Sequence, residues 1–347
     1  MTTTLPADKH QGWQYLAWSL PSIRFVQGWI YWGGGSRRFI YAPSKLDPSA
    51  HHWMAYKFQT AMPGALLGMD HIVSYLLTHF ALLYAAVIFF SAVELVVGVC
   101  LLIGFMTRAS ALVSMGLSFF LMLLFGWQGA TCIDEWTMAA ANFGMGATLF
   151  LAGAGAWSID ALRQHDHQAS NLWGWAASDP LPERWIAPLS RGTFIVTMIF
   201  VIATYSYYRG SVWGPFHGGP VSPAKHHVSF SHIHQNPDGS WVFHAYLDGG
   251  TADVPAHIMS INLTDNHNRP LASWQGLDLQ HLPPSAFIND YPYNKFAPGI
   301  MSLQAPVGAK AWITLPPVKY SSSSRPDHLQ AILIDGQTIN QSISPGR

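Results

Sequence analysis

The sequence predicts an α-helical integral membrane bundle, a four-helix core with a fifth transmembrane helix, followed by a C-terminal all-β sandwich-like soluble domain. Three observations carry this expectation. Half of the residues are hydrophobic and only 10% are charged, against about a quarter charged in ordinary globular chains. Long apolar runs are confined to the part of the chain before Arg209. After it, short β-like runs alternate with turns.

A hydrocarbon core of about 30 Å takes about 20 mostly apolar residues as helix. The spans are expected at residues 81–104, 109–127, 137–157 and 192–208, with a weaker first one over 15–35 that carries Pro21 and Arg24. Small residues recur at helical spacing, as Ser110, Ser114 and Ser118, then Ala140, Gly144, Thr148 and Ala152. Such stripes let helices approach closely in lipid. The same logic reads "GMGATL" and "GAGA" as packing positions, since they lie inside an apolar segment with no strand before them, where a nucleotide loop needs one. Residues 158–190 are polar and punctuated by Trp and Pro, a linker in appearance. "YSYYRGSVW" is an aromatic belt at a membrane surface.

Beyond it, "HHVSFSHIH", the turn "NPDGS", "WVFHAYL", "AHIMSINLT", "AWITLPP" and "AILID" read as strands of a small sandwich. The domain expectation is a membrane domain over 1–160, a linker over 161–190, the fifth helix over 191–210 and the β-domain over 211–347.

Several function classes drop out. Basic and acidic residues balance at 18 each, so no nucleic-acid partner is expected. Two cysteines, Cys100 and Cys132, make no disulfide framework and no CxxC, CxxCH or zinc spacing, which argues against covalent haem and iron–sulfur clusters. No histidine falls inside a span as an opposing haem ligand. His232, His234 and His244 lack the carboxylate or cysteine that would complete a metal set. The N-terminus lacks a basic n-region and apolar core, so no removable signal peptide is expected.

One acid stands inside an apolar run: Glu94 in "VIFFSAVELVVGVCLLIG". A carboxylate at a helix centre in lipid costs about 3 kcal/mol on insertion scales and needs a partner or water. Ser91 and Gly98 share its face at i−3 and i+4, the face that meets other helices. Counting residues from the expected helix ends puts Arg24 at the same depth, about 14 Å in. Either Arg24 pairs with Glu94, or Arg24 snorkels to the surface and Glu94 is protonated. A second polar cluster, "GWQGATCIDEWT", holds Gln128, Cys132, Asp134 and Glu135 between Trp127 and Trp136. Arg37, Arg38, Lys45, Lys57, His51, His52, His71 and His79 make the densest cationic set of the chain, suited to an anion.

The stretches "RFVQGWIYWGGGSRRFIY", "AVELVVGVCLLIGFMTRASAL" and "GWQGATCIDEWTMAAANFGMG" resemble the DoxD family, the membrane subunit of thiosulfate:quinone oxidoreductase. The resemblance rests on Arg24 and Gly28, on Glu94 with Gly98 and the "GFMTRAS" turn, and on Asp134-Glu135-Trp136. The last part of the chain resembles the partner subunit DoxA, making the chain a natural DoxD–DoxA fusion. The resemblance implies oxidation of two thiosulfates to tetrathionate with reduction of a membrane quinone, in the inner (cytoplasmic) membrane, with the β-domain on the external side. It implies quinone as electron acceptor; no metal or haem is expected from the residues, and a homo-oligomer in lipid is expected as well.

On that reading Glu94, Arg24, Asp134, Glu135 and Cys132 are the catalytic candidates, with Cys132 the thiol for a covalent sulfur adduct. Trp29, Trp32, Trp127 and Gln128 line the quinone slot, and Arg37, Arg38, Lys57, His71 and His79 bind thiosulfate. Two other classes compete: a non-catalytic scaffold docking a periplasmic sulfur enzyme, and a small-anion carrier.

Overall fold

A computed structural model describes residues 9–128, 135–164, 172–209, 221–222, 224–318 and 326–343. In chain order its α-helices are α1 (Lys9–Ser36), α2 (Met54–Ala61), α3 (Met69–Thr78), α4 (Phe80–Ile103), α5 (Thr107–Phe125), α6 (Glu135–Ala152), α7 (Ile159–Gln164), α8 (Leu172–Ala176), α9 (Glu183–Arg209) and α10 (Gly276–Gln280). Its strands are β1 (His227–Gln235), β2 (Trp241–Gly249), β3 (Ala256–Thr264), β4 (Pro270–Gln275), β5 (Phe287–Asn289), β6 (Ala297–Pro298), β7 (Leu303–Ala305), β8 (Lys310–Leu315), β9 (His328–Leu333) and β10 (Thr338–Ser342). Two compact units result. One holds Met1–Trp53, Ala81–Gly126 and Glu135–Phe216, the other Met54–Phe80, Trp127–Asp134 and His217–Arg347.

In the first unit α4, α5 and residues 183–206 of α9 are long and apolar enough to cross a membrane by length and composition. The other two expected spans are helices as well, α1 of 28 residues and α6 of 18, but they fall short of that apolarity. Their polar groups point inward. Arg24, Gln27, Gly28 and Tyr31 of α1 are buried while Phe25, Val26, Trp29 and Ile30 are exposed, the inverse of a helix in water. On α6, Asn142 is likewise buried.

Glycines fix how α1 runs antiparallel to α4. A Cβ on Gly28 would lie 2.8 Å from the backbone nitrogen of Leu102, one on Gly98 would overlap the backbone of Trp32, and one on Gly35 would press the backbone of Leu95. Gly98→Val is therefore expected to cost at least the 1–3 kcal/mol typical of overpacking, read as a lower yield of monodisperse protein in detergent. Gly33→Ala, where a Cβ meets nothing within 4 Å, is the matched control.

This register overturns the pairing expected for Arg24. Arg24 lies beside Gly104, ten residues from Glu94 and so about 15 Å away along α4. The depth count took the ends of α1 and α4 as level, whereas α1 begins at Lys9 and overshoots the end of α4, which lies beside Arg24. Both terminal nitrogens of Arg24 instead donate to carbonyls beyond α6, to Ala154 at 2.7 Å and Trp157 at 2.8 Å. Arg108 does the same for Phe150 (3.1 Å) and Asp179 (2.6 Å). Helix C-termini leave four carbonyls without intrahelical donors; Arg108 supplies one at Phe150 of α6, and Arg24 bonds the chain that follows α6. Pro21 also leaves the Ala17 carbonyl open within α1, and the Ala156 N–H takes it at 2.7 Å.

Asp160, 1% exposed, accepts the N–H groups of Met106 and Thr107, both at 2.9 Å, and the Ser178 hydroxyl at 2.9 Å. It caps α5 from a distant part of the chain. The stretch expected as a linker, 161–190, is thus partly folded onto these helix ends, because its polar residues are partners rather than solvent-facing. Asp160→Ala would remove the acceptor of the buried Thr107 N–H and of two partly buried donors, and a buried donor left unpaired costs about 1–3 kcal/mol. A clear fall in thermal midpoint, absent in a surface control such as Arg163→Ala, is the expected reading.

In the second unit two antiparallel sheets have the orders β1-β2-β8-β5 and β10-β9-β3-β7-β6, with β4 on β3. Burial alternates along β2, β8 and β9, the pattern of a sandwich with one face of each sheet inside. The i, i+2 spacing of His232 and His234 would place both on one face of a regular strand, but β1 is irregular between them. Pairing with β2 shifts between Ser231 and His234, and His232 has φ +53°. The unit also contains α2 and α3, from the long first loop. Gln59 of α2 donates to the carbonyls of Asn294 (2.8 Å) and Gly308 (3.0 Å) and accepts the Asn294 N–H at 2.9 Å.

Candidate functional site

Glu94 is paired with Arg38: Nη1 of the arginine donates to Oε2 of the carboxylate. The sequence sets this up in three steps. "WGGGSRR" carries α1 past α4 with Gly34 facing Glu94, where a Cβ would come to 2.6 Å from Oε1. The missing side chain leaves the carboxylate its space. Next, α1 passes directly into a π-helix, Arg37–Tyr41, a rare turn that is frequent at functional sites. Arg38 stands four residues after Gly34, on the same face, and reaches back. The pair keeps 18% and 16% of its side-chain exposure, so the charges are largely desolvated yet open to a ligand.

An aromatic ladder runs along the outside of α1 to this point. Phe25 stacks on Trp29 with centroids 5.8 Å apart, Trp29 meets Trp32 at 4.8 Å, and Trp32 meets Tyr41 of the π-helix at 6.4 Å. Inside, one turn deeper than Glu94, lies a polar band between α1, α5 and α6. Gln27 Nε2 donates to Ser114 Oγ (3.1 Å) and the Asn142 carbonyl (2.8 Å). The Tyr31 hydroxyl donates to the Ser114 carbonyl and shares a bond with Ser118, both at 2.8 Å. The Ser114 and Ser118 stripe read as packing therefore also carries hydrogen bonds. Gln27 Oε1 and Asn142 Oδ1 are buried with no hydrogen-bond partner among the described residues. Sequence reasoning missed Gln27, Tyr31 and Asn142. Their signal was polarity on the face of α1 and α6 that carries the small residues.

The other expected site residues are dispersed. Glu135 opens α6, where a negative charge suits the helix dipole. Cys132 and Asp134 lie outside the described residues. Trp127 and Gln128 belong to the second unit, not to the slot expected with Trp29 and Trp32. The Trp127 indole N–H donates to the Ala61 carbonyl at 2.8 Å and Gln128 Nε2 to that of Thr60 at 2.9 Å, which fixes both to α2. Of the expected anion-binding set, Arg37 and Arg38 stand in the first unit and Lys57, His71 and His79 in the second. His71 is 3.9 Å from Asp70, and His79 stacks on Tyr75 at 4.1 Å. A cleft of about 450 Å³ lined by Pro21, Ser22, Arg24, Phe25, Val26, Leu102 and Trp157 opens at the Arg24 end of α1. It is about 15 Å from Gly34 along the helix and does not include the carboxylate.

Two protein families match consecutive parts of the chain. "TQO small subunit DoxD" matches residues 19–181, and "TQO small subunit DoxA" matches residues 208–342. The chain is a DoxD–DoxA fusion. No solved structure matches it. Both family names place it in a thiosulfate:quinone oxidoreductase-related function. Glu94, Arg38, the aromatic ladder and the polar band all belong to the DoxD segment. So does the 54–80 stretch, although it folds with the DoxA segment.

The DoxA segment carries a polar face of its own on β2 and β8. His244 Nε2 is 3.0 Å from Asp290 Oδ2, His227 Nδ1 is 2.6 Å from Asp248 Oδ1, and Lys310 Nζ stands 4.2 Å over the Tyr246 ring. Burial pushes the Tyr246 hydroxyl well above its ordinary range, and the charge of Asp248 adds to this. Burial also lowers the Lys310 ammonium, against the opposing pull of Asp290, Asp70 and Asp248.

Proposed function

We propose that this chain is a membrane-bound thiosulfate:quinone oxidoreductase: two thiosulfates give one tetrathionate and two electrons, and one quinone takes those electrons with two protons. The observation that carries the reading is the half-buried Arg38–Glu94 pair at the end of an aromatic ladder, inside a DoxD segment. A quinone needs an apolar approach, a donor for a ring oxygen and a proton source. Trp29, Trp32 and Tyr41 supply the first, Arg38 the second, and Glu94 the third, once its carboxylate has taken up a proton from solvent to pass to the ring oxygen. Quinone is the electron-accepting substrate here. The residues around Glu94 fit it because the pair is desolvated enough to be sensitive to a ligand and exposed enough to meet one.

Thiosulfate is a dianion, and each unit carries cations of its own that attract it, Arg37 in the first and Lys57 in the second. Cys132 is the thiol in this reading. Its thiolate forms a bond to the outer sulfur of thiosulfate as two electrons leave for quinone, and a second thiosulfate displaces the thiolate as tetrathionate. Turnover retained in Cys132→Ala would remove Cys132 from the scheme. The protein is assigned to the inner membrane with its β-domain external, where thiosulfate arrives.

Quinone binding is testable without turnover. A short-chain ubiquinone analogue added to the purified protein is expected to quench tryptophan emission saturably. Trp32→Phe should remove part of that quenching and Glu94→Gln should weaken its half-saturation. Quenching that rises linearly, and equally in all three proteins, would contradict a site at this pair.

A further inference from the structure

We infer that residues 54–80 are a docking arm that holds the β-domain non-covalently, so that the peptide connection after α9 can be cut without releasing it. This goes beyond the proposed function and does not rest on it.

The argument starts from Gln59. It is 0% exposed, and both its N–H groups and its oxygen are engaged, all with the β-domain more than 230 positions away in sequence. Asn294, 5% exposed, answers from the other side. Its side-chain nitrogen donates to Thr60 Oγ1 at 2.9 Å, to the Tyr56 carbonyl at 3.3 Å and to Val307 within its own domain at 2.9 Å. A fully satisfied buried network of this kind is selective, because losing one partner strands the others.

Backbone shape adds to it. Gly308 has φ +84°, and a Cβ there would overlap the carbonyl of Gln59, so strand-end backbone and helix backbone touch directly. Tyr56 meets Tyr293 edge-on at 5.8 Å. Further along the arm the Ser74 hydroxyl is 2.7 Å from the Tyr291 hydroxyl. The partner is thus a DoxA-type β-domain presenting Tyr291, Tyr293, Asn294 and Gly308, the set a separate DoxA chain would have to offer.

The arm enters at Met54 and leaves at Phe80, so it ties the β-domain to the DoxD segment at a place unrelated to α9. A fold that needed only the tether would have no reason to desolvate Gln59 completely.

The test uses the full-length protein in detergent, with a specific protease sequence inserted between Gly218 and Gly219. After cleavage, size-exclusion fractions are run on denaturing gels and only cut chains are scored. The C-terminal fragment is expected to co-elute with the helical fragment. Gln59→Leu, which strands three buried groups, should weaken retention at least about a hundredfold, given about tenfold for each 1.4 kcal/mol. Thr60→Val, which removes one hydroxyl, should weaken it about tenfold, and it serves if Gln59→Leu does not fold. Emission from the buried Trp241 and Trp274 reports whether the released fragment is folded. Separation of the two fragments in the cut parent protein would overturn the inference, as would wild-type retention in a folded, cut Gln59→Leu.

Discussion

Arg38→Leu is expected to destabilise the helical unit by about 3–5 kcal/mol, because it leaves the Glu94 carboxylate buried without its counter-charge. The double variant Arg38→Leu/Glu94→Leu is expected to recover most of that loss, since a buried ion pair replaced by apolar groups of similar volume is often neutral or better. Unfolding by denaturant in mixed micelles checks both. The expected pattern is one strongly destabilised single variant and a double variant near the parent. The pair then adds little net stability, as expected of a site kept for chemistry. If Arg38→Leu unfolds with the parent, the pair is not desolvated as the 18% and 16% exposures indicate.

Glu94→Gln is the second large effect, read as rate per folded protein. Glutamine keeps the shape and still accepts the Arg38 hydrogen bond, but it carries no charge and holds no transferable proton. Positioned proton transfer contributes about 10²–10⁴-fold, so turnover per folded protein is expected to drop by that order, beyond any loss of folded yield from removing the Arg38 counter-charge. Equal loss of turnover and folded protein would assign Glu94 to helix register, the role a non-catalytic scaffold requires. Arg24→Gln should behave in the opposite way. Its guanidinium satisfies the Ala154 and Trp157 carbonyls, so folded yield should fall and the turnover of what folds should not.

The helices, the switch to β-structure and the need of Glu94 for a partner were legible in the sequence, because each is a matter of local pattern: apolar run length, period-two alternation, an acid in an apolar run. The partner of Glu94 was not. Arg24 and Arg38 both lie on α1, and the choice between them depends on where α1 begins and on which glycines touch α4. Gly28, Gly34 and Gly98 decide that register through contacts of a few tenths of an ångström, which residue counting does not resolve. Residue spacing groups Arg38 with Arg37 in an anion-binding set. Four residues from Gly34, on a π-turn that no propensity signals, it turns inward.

The placement of the first loop was equally out of reach. Gln59 looks like any polar residue of a short amphipathic helix, and its partners Asn294 and Gly308 lie at the far end of the chain. The linker misreading has the same origin. Asp160 and Ser178 are polar because they cap and brace α5, and sequence alone does not separate a bracing polar residue from a solvated one.

The most direct test of the central claim is a coupled assay on the purified protein in detergent: thiosulfate and a ubiquinone analogue are supplied, and quinol and tetrathionate are followed together. The account predicts one quinol for each tetrathionate, at a rate lowered by two orders of magnitude or more in Glu94→Gln of equal folded content. Absence of thiosulfate-dependent quinol formation by the intact parent protein, or formation that is indifferent to Glu94, would contradict it.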